Sequence, residues 1–433
     1  MDEELLLKYE EMLGTEVLRR LIIADRNVGY GLVSGAVSPR VELVKITRDV
    51  DMIRRYLVGL IDYIFNTLKN MNPDLVFLQG VAGSLSLAIY EISQFLGLKF
   101  RVLTTTRIKS LYICDNSPFL ELKKVKNIYR DSITDPNILE DYISAAREYI
   151  ESFRSKPTSP DYSELSISLA QKKLSLFRIA KQLLSDLKGV VYTSLKKYEF
   201  PLQSQTAWQV LQRNFKLSLK KRYLYKNDKL LKQKDLPKRP YCYYTLQVEP
   251  EASTMVLAPM HTDQIAVIES IAKSLPIGMN MVVKEHIPML GLRPKGFYKR
   301  IKNIPGVFLV SPFEDNFELI KNADIVSVIT GTAALEAIIL GKPILIIGDS
   351  PILAIGEGAI LCGDLSRLTG AIKQALESPP VDDKKLTHYI AAILSKSFEM
   401  PAEIIFESYS RVKKENIHRN LETIRKLCDN LLE

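Results

Sequence analysis

A chain of 433 residues, 46% hydrophobic and 25% charged, carries enough apolar material for two or three packed domains. It contains no charge-free run of about 18 apolar residues, which argues against a membrane-spanning helix. Cys114, Cys242, Cys362 and Cys428 form no CxxC pair, which argues against a zinc knuckle or a disulfide framework. The net charge of +9 leaves nucleic acid, an anionic membrane surface and a phosphorylated substrate as candidate partners.

The acidic, amphipathic start MDEELLLKYEEML lacks the basic head and apolar core of a secretory signal, so a cytoplasmic location is expected. Residues 5–13 read as a short helix and LRRLIIAD (18–25) as a first strand. Ile53, Tyr56, Leu57, Leu60, Ile61, Ile64 and Leu68 recur at helical spacing across 50–70. LVFLQG, ending at Gly80, is an apolar strand. LSLAIYEISQFLG is a helix with Gly97 as its stop, and FRVLTTT (100–106) is a second strand. Strand, helix and strand at this spacing predict a βαβ unit and a parallel sheet.

Residues 119–240 are rich in Lys, Tyr and Leu and read as a helical insertion, with GVVYTSL as its one strand-like stretch. From Lys216 to Arg239 there are ten Lys or Arg against Asp228 and Asp235, interleaved with Phe215, Leu217, Leu219, Tyr223, Leu224 and Tyr225. This is either a solvated face or a patch for anionic lipid. No RNA signature or helix-turn-helix spacing accompanies it, so nucleic acid is not expected.

A second β/α array follows Pro240. Its strands are YCYYTLQV (241–248), MNMVVKEH (279–286), GVFLVSP, DIVSVIT and KPILIIG. Its helices are DQIAVIESIAKSL with Asp263 or Thr262 as cap, FYKRIKNI, NFELIKNA and TAALEAIILG. The segment 400–433 reads as terminal helices that cross back to the first domain. The expected domains are therefore 1–240, 241–399 and the 400–433 helices.

Ligands of open parallel sheets sit at the carboxyl ends of strands, so polar residues there are the site candidates. Thr330, Gly331 and Thr332 lie between a strand and a helix, where outward-pointing backbone N–H groups suit an anion. Glu336, one turn on, suits ribose hydroxyls. Lys284, Glu285 and His286 close another strand and suit a donor phosphate or acid–base work. No second His stands at metal-ligand spacing, so no metal or other cofactor is expected. Gln247, Glu249 and Glu251 follow a strand, and carboxylates there suit glycosyl transfer through an oxocarbenium-like state. In the first domain, Gln79, Gly80, Ser84 and Arg107 end strands or open a helix and leave room for a second ligand. This loop is neither the dinucleotide fingerprint nor a Walker loop.

At these places the chain resembles the capsule and surface-polysaccharide glycosyltransferases, in the branch related to the β-Kdo transferases. LQVEPEAST, VVKEHIPMLGLRPKGFYKRI, ADIVSVITGTAALEAIILGKPILIIGD and PDLVFLQG carry the resemblance, which covers most of 73–110 and 241–350. It implies an α/β, GT-B-like fold, with two Rossmann-like domains facing a cleft, the acceptor on the first and the nucleotide sugar on the second. It implies metal-independent transfer from a CMP- or UDP-sugar to a surface-glycan or lipid-linked acceptor. Gln247, Lys284, Glu285, Thr330, Gly331, Thr332 and Glu336 would hold the donor. His286 and Glu251 would be catalytic, Glu251 at the nucleophile's place. Gln79, Gly80, Ser84 and Arg107 would face the acceptor. The chain differs from that branch in having Glu at 251 where Asp is usual, Ile287 between His286 and Pro288, and Thr-Gly-Thr in place of paired serines. Two other readings stay open: a UDP-N-acetylglucosamine-type 2-epimerase, and a non-catalytic polysaccharide-assembly protein on the same scaffold.

Overall fold

The structure, a computed structural model, describes residues 2–25, 50–119, 121–160, 180–181, 183–185, 187–188, 191, 207–226, 230–331, 333–400 and 417–432. The chain opens with three helices, α1 (Asp2–Leu13), α2 (Thr15–Ala24) and α3 (Val50–Met71). Residues 18–25, expected as a strand, form most of α2 instead. The reason is period: Leu18, Leu21 and Ala24 recur every third residue and are all buried. GVVYTSL lies outside the described residues except at Val191, which is helical.

The first sheet is mixed. β1 (Val76–Leu78) pairs parallel with β2 (Phe100–Thr105) through α4 (Ser84–Phe95), as a βαβ unit requires. β3 (Leu111–Asp115), which the sequence reading passed over, returns antiparallel beside β2. Helices α1 to α4 cover one face, with Tyr9, Leu21, Ile61, Leu87 and Ile92 against Val76, Phe100 and Val102. The other face, Leu103, Tyr112 and Cys114, meets Leu427 and Leu431 of the last helix, α15 (Ile417–Leu432).

Three helices follow: α5 (Lys123–Thr134), α6 (Glu140–Ser155) and the basic α7 (Ala207–Lys226). The second unit then contains β4 (Tyr241–Thr245), α8 (Ala252–Met255), α9 (Gln264–Ser274), β5 (Asn280–Lys284), α10 (Phe297–Lys302) and β6 (Val307–Val310). It continues with α11 (Asn316–Lys321), β7 (Ile325–Val328), α12 (Ala333–Ile339), β8 (Ile344–Ile346), β9 (Ala359–Leu361) and α13 (Leu368–Glu377). All six strands are parallel, in the order β6-β5-β4-β7-β8-β9. This is the doubly wound order of dinucleotide-binding sheets.

Side-chain alternation gives the sheet two covered faces. Cys242 and Tyr244 point to the face packed by α9, α10 and α13. Tyr241 and Tyr243 point to the face packed by α11, α12, α5, α6 and α14 (Asp383–Lys396). Every β4 residue is therefore buried, which explains its unbroken apolar run.

The chain then returns to the first unit. α14 packs between α5 and α6, and β10 (Phe398–Glu399) pairs antiparallel with β3. Arg154 on α6 donates to the Ile339 carbonyl and pairs with Asp383 of α14. The architecture is α/β and GT-B-like: two β/α units, a helical segment between them, and a returning C-terminal end.

Candidate functional site

Strand order reverses between β4 and β7. Chain leaving β4 runs to the α9 face and chain leaving β7 to the α12 face, which opens a crevice at their carboxyl ends. Gln247 follows β4 and Gly331 follows β7. A Cβ placed on Gly331 would stand 3.1 Å from Gln247 Nε2, so the glycine permits a close approach of the two loops. Thr330 is buried, and its hydroxyl donates to the Ser253 carbonyl at 3.1 Å. That contact ties the β7 loop to α8, whose first flanking residue is Glu251. Glu251 is exposed at the seam between the units, since Val256, just beyond α8, packs into the core of the first unit. Thr332 lies outside the described residues.

The first unit reaches the same place. The turn between β2 and β3 brings Arg107 across, and its Nη1 donates to the Gly331 carbonyl at 2.8 Å. Thr105, Thr106 and Arg107 line a narrow gap between the units with Leu335, Ser350, Pro351 and Tyr389.

β5 ends in two charges that part company. Lys284 and Glu285 are consecutive, so they point to opposite faces. Lys284 lies near Glu336, which α12 buries and to which Asn316 Nδ2 donates at 3.0 Å. Asn316 in turn accepts from the Tyr243 hydroxyl at 2.6 Å. Burial pushes Glu336 up to about 7, against the pull of Lys284, Arg107 and the Asn316 bond. Burial also lowers the Lys284 ammonium, opposed by Asp315, Glu336 and Glu314.

Glu285 joins a second cluster. Arg293 Nε and Nη2 donate to its two oxygens at 2.7 and 3.1 Å, and Tyr298 donates at 3.0 Å. Arg293 Nη1 reaches Glu249 at 2.8 Å and its Nη2 reaches the Gln247 carbonyl at 2.6 Å. Gln264 bonds Glu249, and its amide oxygen accepts from the Gln247 backbone at 2.6 Å. The guanidinium lies 4.8 Å from the Phe297 ring centre. Burial pushes Glu249 up to about 7 despite Arg293 and Gln264. This network fixes the loops after β4 and β5.

His286 starts the 287–289 turn, half-buried. Burial pushes its imidazole down to about 4, so the ring is neutral near pH 7 and can exchange protons but offers no charge.

The structure thus gathers Gln247, Glu251, Thr330, Gly331 and Arg107 at one seam, with Lys284 and Glu336 beside Arg107. It holds Gln79 and Gly80 exposed at the end of β1. Ser84 is buried elsewhere, its hydroxyl 2.5 Å from Asp25, which also accepts from Tyr56 at 2.7 Å. Sequence reasoning missed Arg293, Gln264, Asn316 and Tyr243. For Gln264, Asn316 and Tyr243, membership of elements with apolar neighbours hinted that a polar side chain there would need a buried partner; Arg293, in the loop before α10, gave no such hint.

The fold defines a two-unit α/β protein of GT-B type with a polar crevice at a strand-order reversal. The sequence profile of the capsule polysaccharide biosynthesis protein family matches residues 127–355, more than half of the chain, and the chain belongs to that family. No curated protein matches it. Among solved structures it is similar to the KpsC β-Kdo 2,7 transferase of Thermosulfurimonas dismutans, at 12% identity and TM-score 0.41, over 78% of this chain and 82% of that one. The β-Kdo 2,4 transferase of the same KpsC gives 12% and 0.39, over 73% and 78%. The UDP-GlcNAc 2-epimerase of Methanocaldococcus jannaschii, in complex with UDP-GlcNAc and UDP, gives 15% and 0.28, over 79% and 81%.

Proposed function

We propose that the protein is a glycosyltransferase of surface-glycan assembly, moving a sugar from a nucleotide-activated donor to a glycan or lipid-linked acceptor. The observation that carries this is the crevice between β4 and β7. There Gln247, Gly331 and Thr330 meet, with Lys284 and Glu336 on β5 and α12. Such a reversal is where doubly wound sheets hold nucleotides. α12 has only seven residues, so its dipole adds little, and the charge for a phosphate comes from Lys284 and Arg107.

A CMP-sugar is the favoured donor and a UDP-sugar the alternative. Glu251, exposed at the seam, is placed in the nucleophile's role and neutral His286 in proton transfer. Gln79 and Gly80 are assigned to the acceptor side; Ser84, buried against Asp25, is left out of it, and Arg107, first expected there, turns to the Gly331 carbonyl instead. The reading uses no metal.

A peripheral membrane role is supported by α7. Phe215, Leu219 and Tyr223 are 40%, 42% and 63% exposed at four-residue spacing, beside exposed Lys216 and Lys220. Among the described residues no helix is long and apolar enough to cross a membrane.

The test is a thermal-shift screen of the protein with CMP, UDP, GDP and their sugars. One nucleotide is expected to raise the melting temperature, and a flat response to all of them removes the donor site. With the responding donor in hand, Glu251→Gln is expected to abolish transfer while leaving the melting temperature unchanged. Full retained activity takes Glu251 out of the mechanism.

A further inference from the structure

We propose that the groove between α6 and α14 is a second site, separate from the crevice, which holds a glycan chain through its hydroxyls. The proposal rests on the surface-glycan reading and adds to it a place for the acceptor's chain.

α14 packs against both α5 and α6, and the 136–139 turn touches all three helices and closes one end. The groove they leave has a volume of about 810 Å³. α6 presents Glu140, Ile143, Ser144, Arg147, Glu148 and Glu151 to it, at the three- and four-residue spacing of one helix face. α14 presents Lys384 and His388, while Tyr389, next in the chain, lines the gap between the units with Arg107. The groove and that gap therefore share a helix and no residue. Arg147, Glu148 and Lys384 are exposed and, among the described residues, form no ion pair, so their charged groups are available to a ligand.

His388, only 4% exposed, sets the chemistry. Ser132 on α5 is fully buried and spends its hydroxyl proton on the Tyr129 carbonyl at 2.8 Å. Its oxygen is therefore the acceptor for His388 Nδ1, 3.2 Å away. That keeps the ring proton on Nδ1 and leaves Nε2 as a lone pair. Among the described residues nothing bonds Nε2, and the ring lines the groove. Burial, then the charges of Lys384 and Arg147, hold the imidazole below its usual range, so it is neutral near pH 7 and stays an acceptor. The lining thus asks for donors at Nε2 and at the Glu140, Glu148 and Glu151 carboxylates, and for acceptors at Arg147 and Lys384. A simple anion satisfies the two cations and is repelled by the lone pair and the carboxylates. A hydroxyl both gives and takes, and a sugar carries several on one rigid frame. The apolar lining is Pro136 and Ile143 alone, too little to anchor a peptide through buried side chains.

The test exposes the full chain, without nucleotide, to a printed array of capsule and O-antigen oligosaccharides, and measures those that bind by calorimetry. The proteins are wild type, His388→Phe, the double variant Arg147→Ala with Glu148→Ala, and Glu251→Gln. Phenylalanine keeps a buried ring and removes the acceptor. The double variant changes only the exposed face of α6, and it decides the matter if His388→Phe fails to fold. The expected result is an oligosaccharide that wild type and Glu251→Gln bind alike, and that both groove variants bind about tenfold more weakly. Equal binding by wild type and the folded groove variants overturns the proposal, and so does an array on which wild type binds nothing. A loss in Glu251→Gln as large as that in the groove variants overturns it too, because the chain then lies in the crevice. The assay uses no donor, so an empty array beside a nucleotide that raises the melting temperature removes the groove and leaves the function reading standing.

Discussion

Lys284 and Glu285 are neighbours in sequence, yet they belong to charge clusters of opposite kind. Glu285 enters a closed network in which Arg293 spends its donors on Glu285, Glu249 and a backbone carbonyl, and Tyr298 and Gln264 satisfy oxygens that remain. Lys284 enters an open one at the crevice, where it lies among Glu336, Asp315 and Glu314 and shares Glu336 with Arg107. A closed network organises backbone, because every partner is already inside the protein. A charged cluster at the mouth of a crevice is placed to meet something that arrives. The sheet separates the two by one residue, because successive side chains on a strand point to opposite faces.

The comparison breaks most visibly on stability. Arg293→Met leaves Glu285 and Glu249 buried without a counter-charge, and breaking a buried pair in this way costs about 3–5 kcal/mol. Urea unfolding is expected to show that loss. Lys284→Met, one residue from Glu285, is expected to cost under about 1.5 kcal/mol, because Arg107 and the Asn316 amide still face Glu336, and to remove nucleotide binding instead. Similar destabilisation from both variants would mean that the two clusters are alike.

Much of the second unit was legible in the sequence, and little of this pairing was. The apolar runs from Tyr241 to Ile347 announce strands buried on both faces. Asp263 caps α9 through Ile265 N and Ala266 N, where its residue type suggested. Residues 18–25 misled because a short, dense apolar run fits either period, and packing against α4 decided for helix. β3 was passed over although it pairs with its neighbour β2, because the turn between them, Thr106 to Ser110, carries none of the Asn-Gly or Asp-Gly signals of a tight hairpin, and its second partner β10 lies nearly 300 residues away. For the site, VVKEH marked the strand end from which both charge clusters start. Which of its charges is structural depends on Arg293, eight residues on, whose burial no periodicity predicts.

A second contrast is in pH. Glu336 is raised from 4.5 to about 7 in the folded protein. Below its unfolded value the carboxyl is protonated in both states and costs nothing. As pH rises toward about 7 the unfolded chain releases that proton while the folded one keeps it, so stability falls, by up to about 3 kcal/mol once both are ionised. Glu336→Gln cannot titrate, and its amide oxygen still accepts from Asn316. The variant is expected to match or trail wild type at pH 4.5 and to gain on it up to pH 8. A difference that does not change with pH would mean that Lys284 and Arg107 already offset the burial.

The smallest expected effect on stability is at the crevice itself, where two glycines can be set against each other. At Gly348 a Cβ would meet Thr330 Cγ2 at 2.8 Å, Ala258 Cβ at 3.0 Å and the Ile329 carbonyl at 3.1 Å. The three contacts close on it from several sides, one of them backbone, so Gly348→Ala is expected to cost about 1–3 kcal/mol. At Gly331 the one close neighbour is the amide end of Gln247, at 3.1 Å, which is free to give way because its bond to the Thr245 carbonyl is long at 3.3 Å. Gly331→Ala is therefore expected to cost under about 1 kcal/mol in thermal unfolding. Its methyl would still displace Gln247 from the approach that brings the β4 and β7 loops together. Nucleotide affinity measured on the same two variants separates packing from site. If Gly331→Ala binds as wild type does, the close approach of Gln247 is a packing contact, and the donor is held by Lys284 and the far side of the crevice.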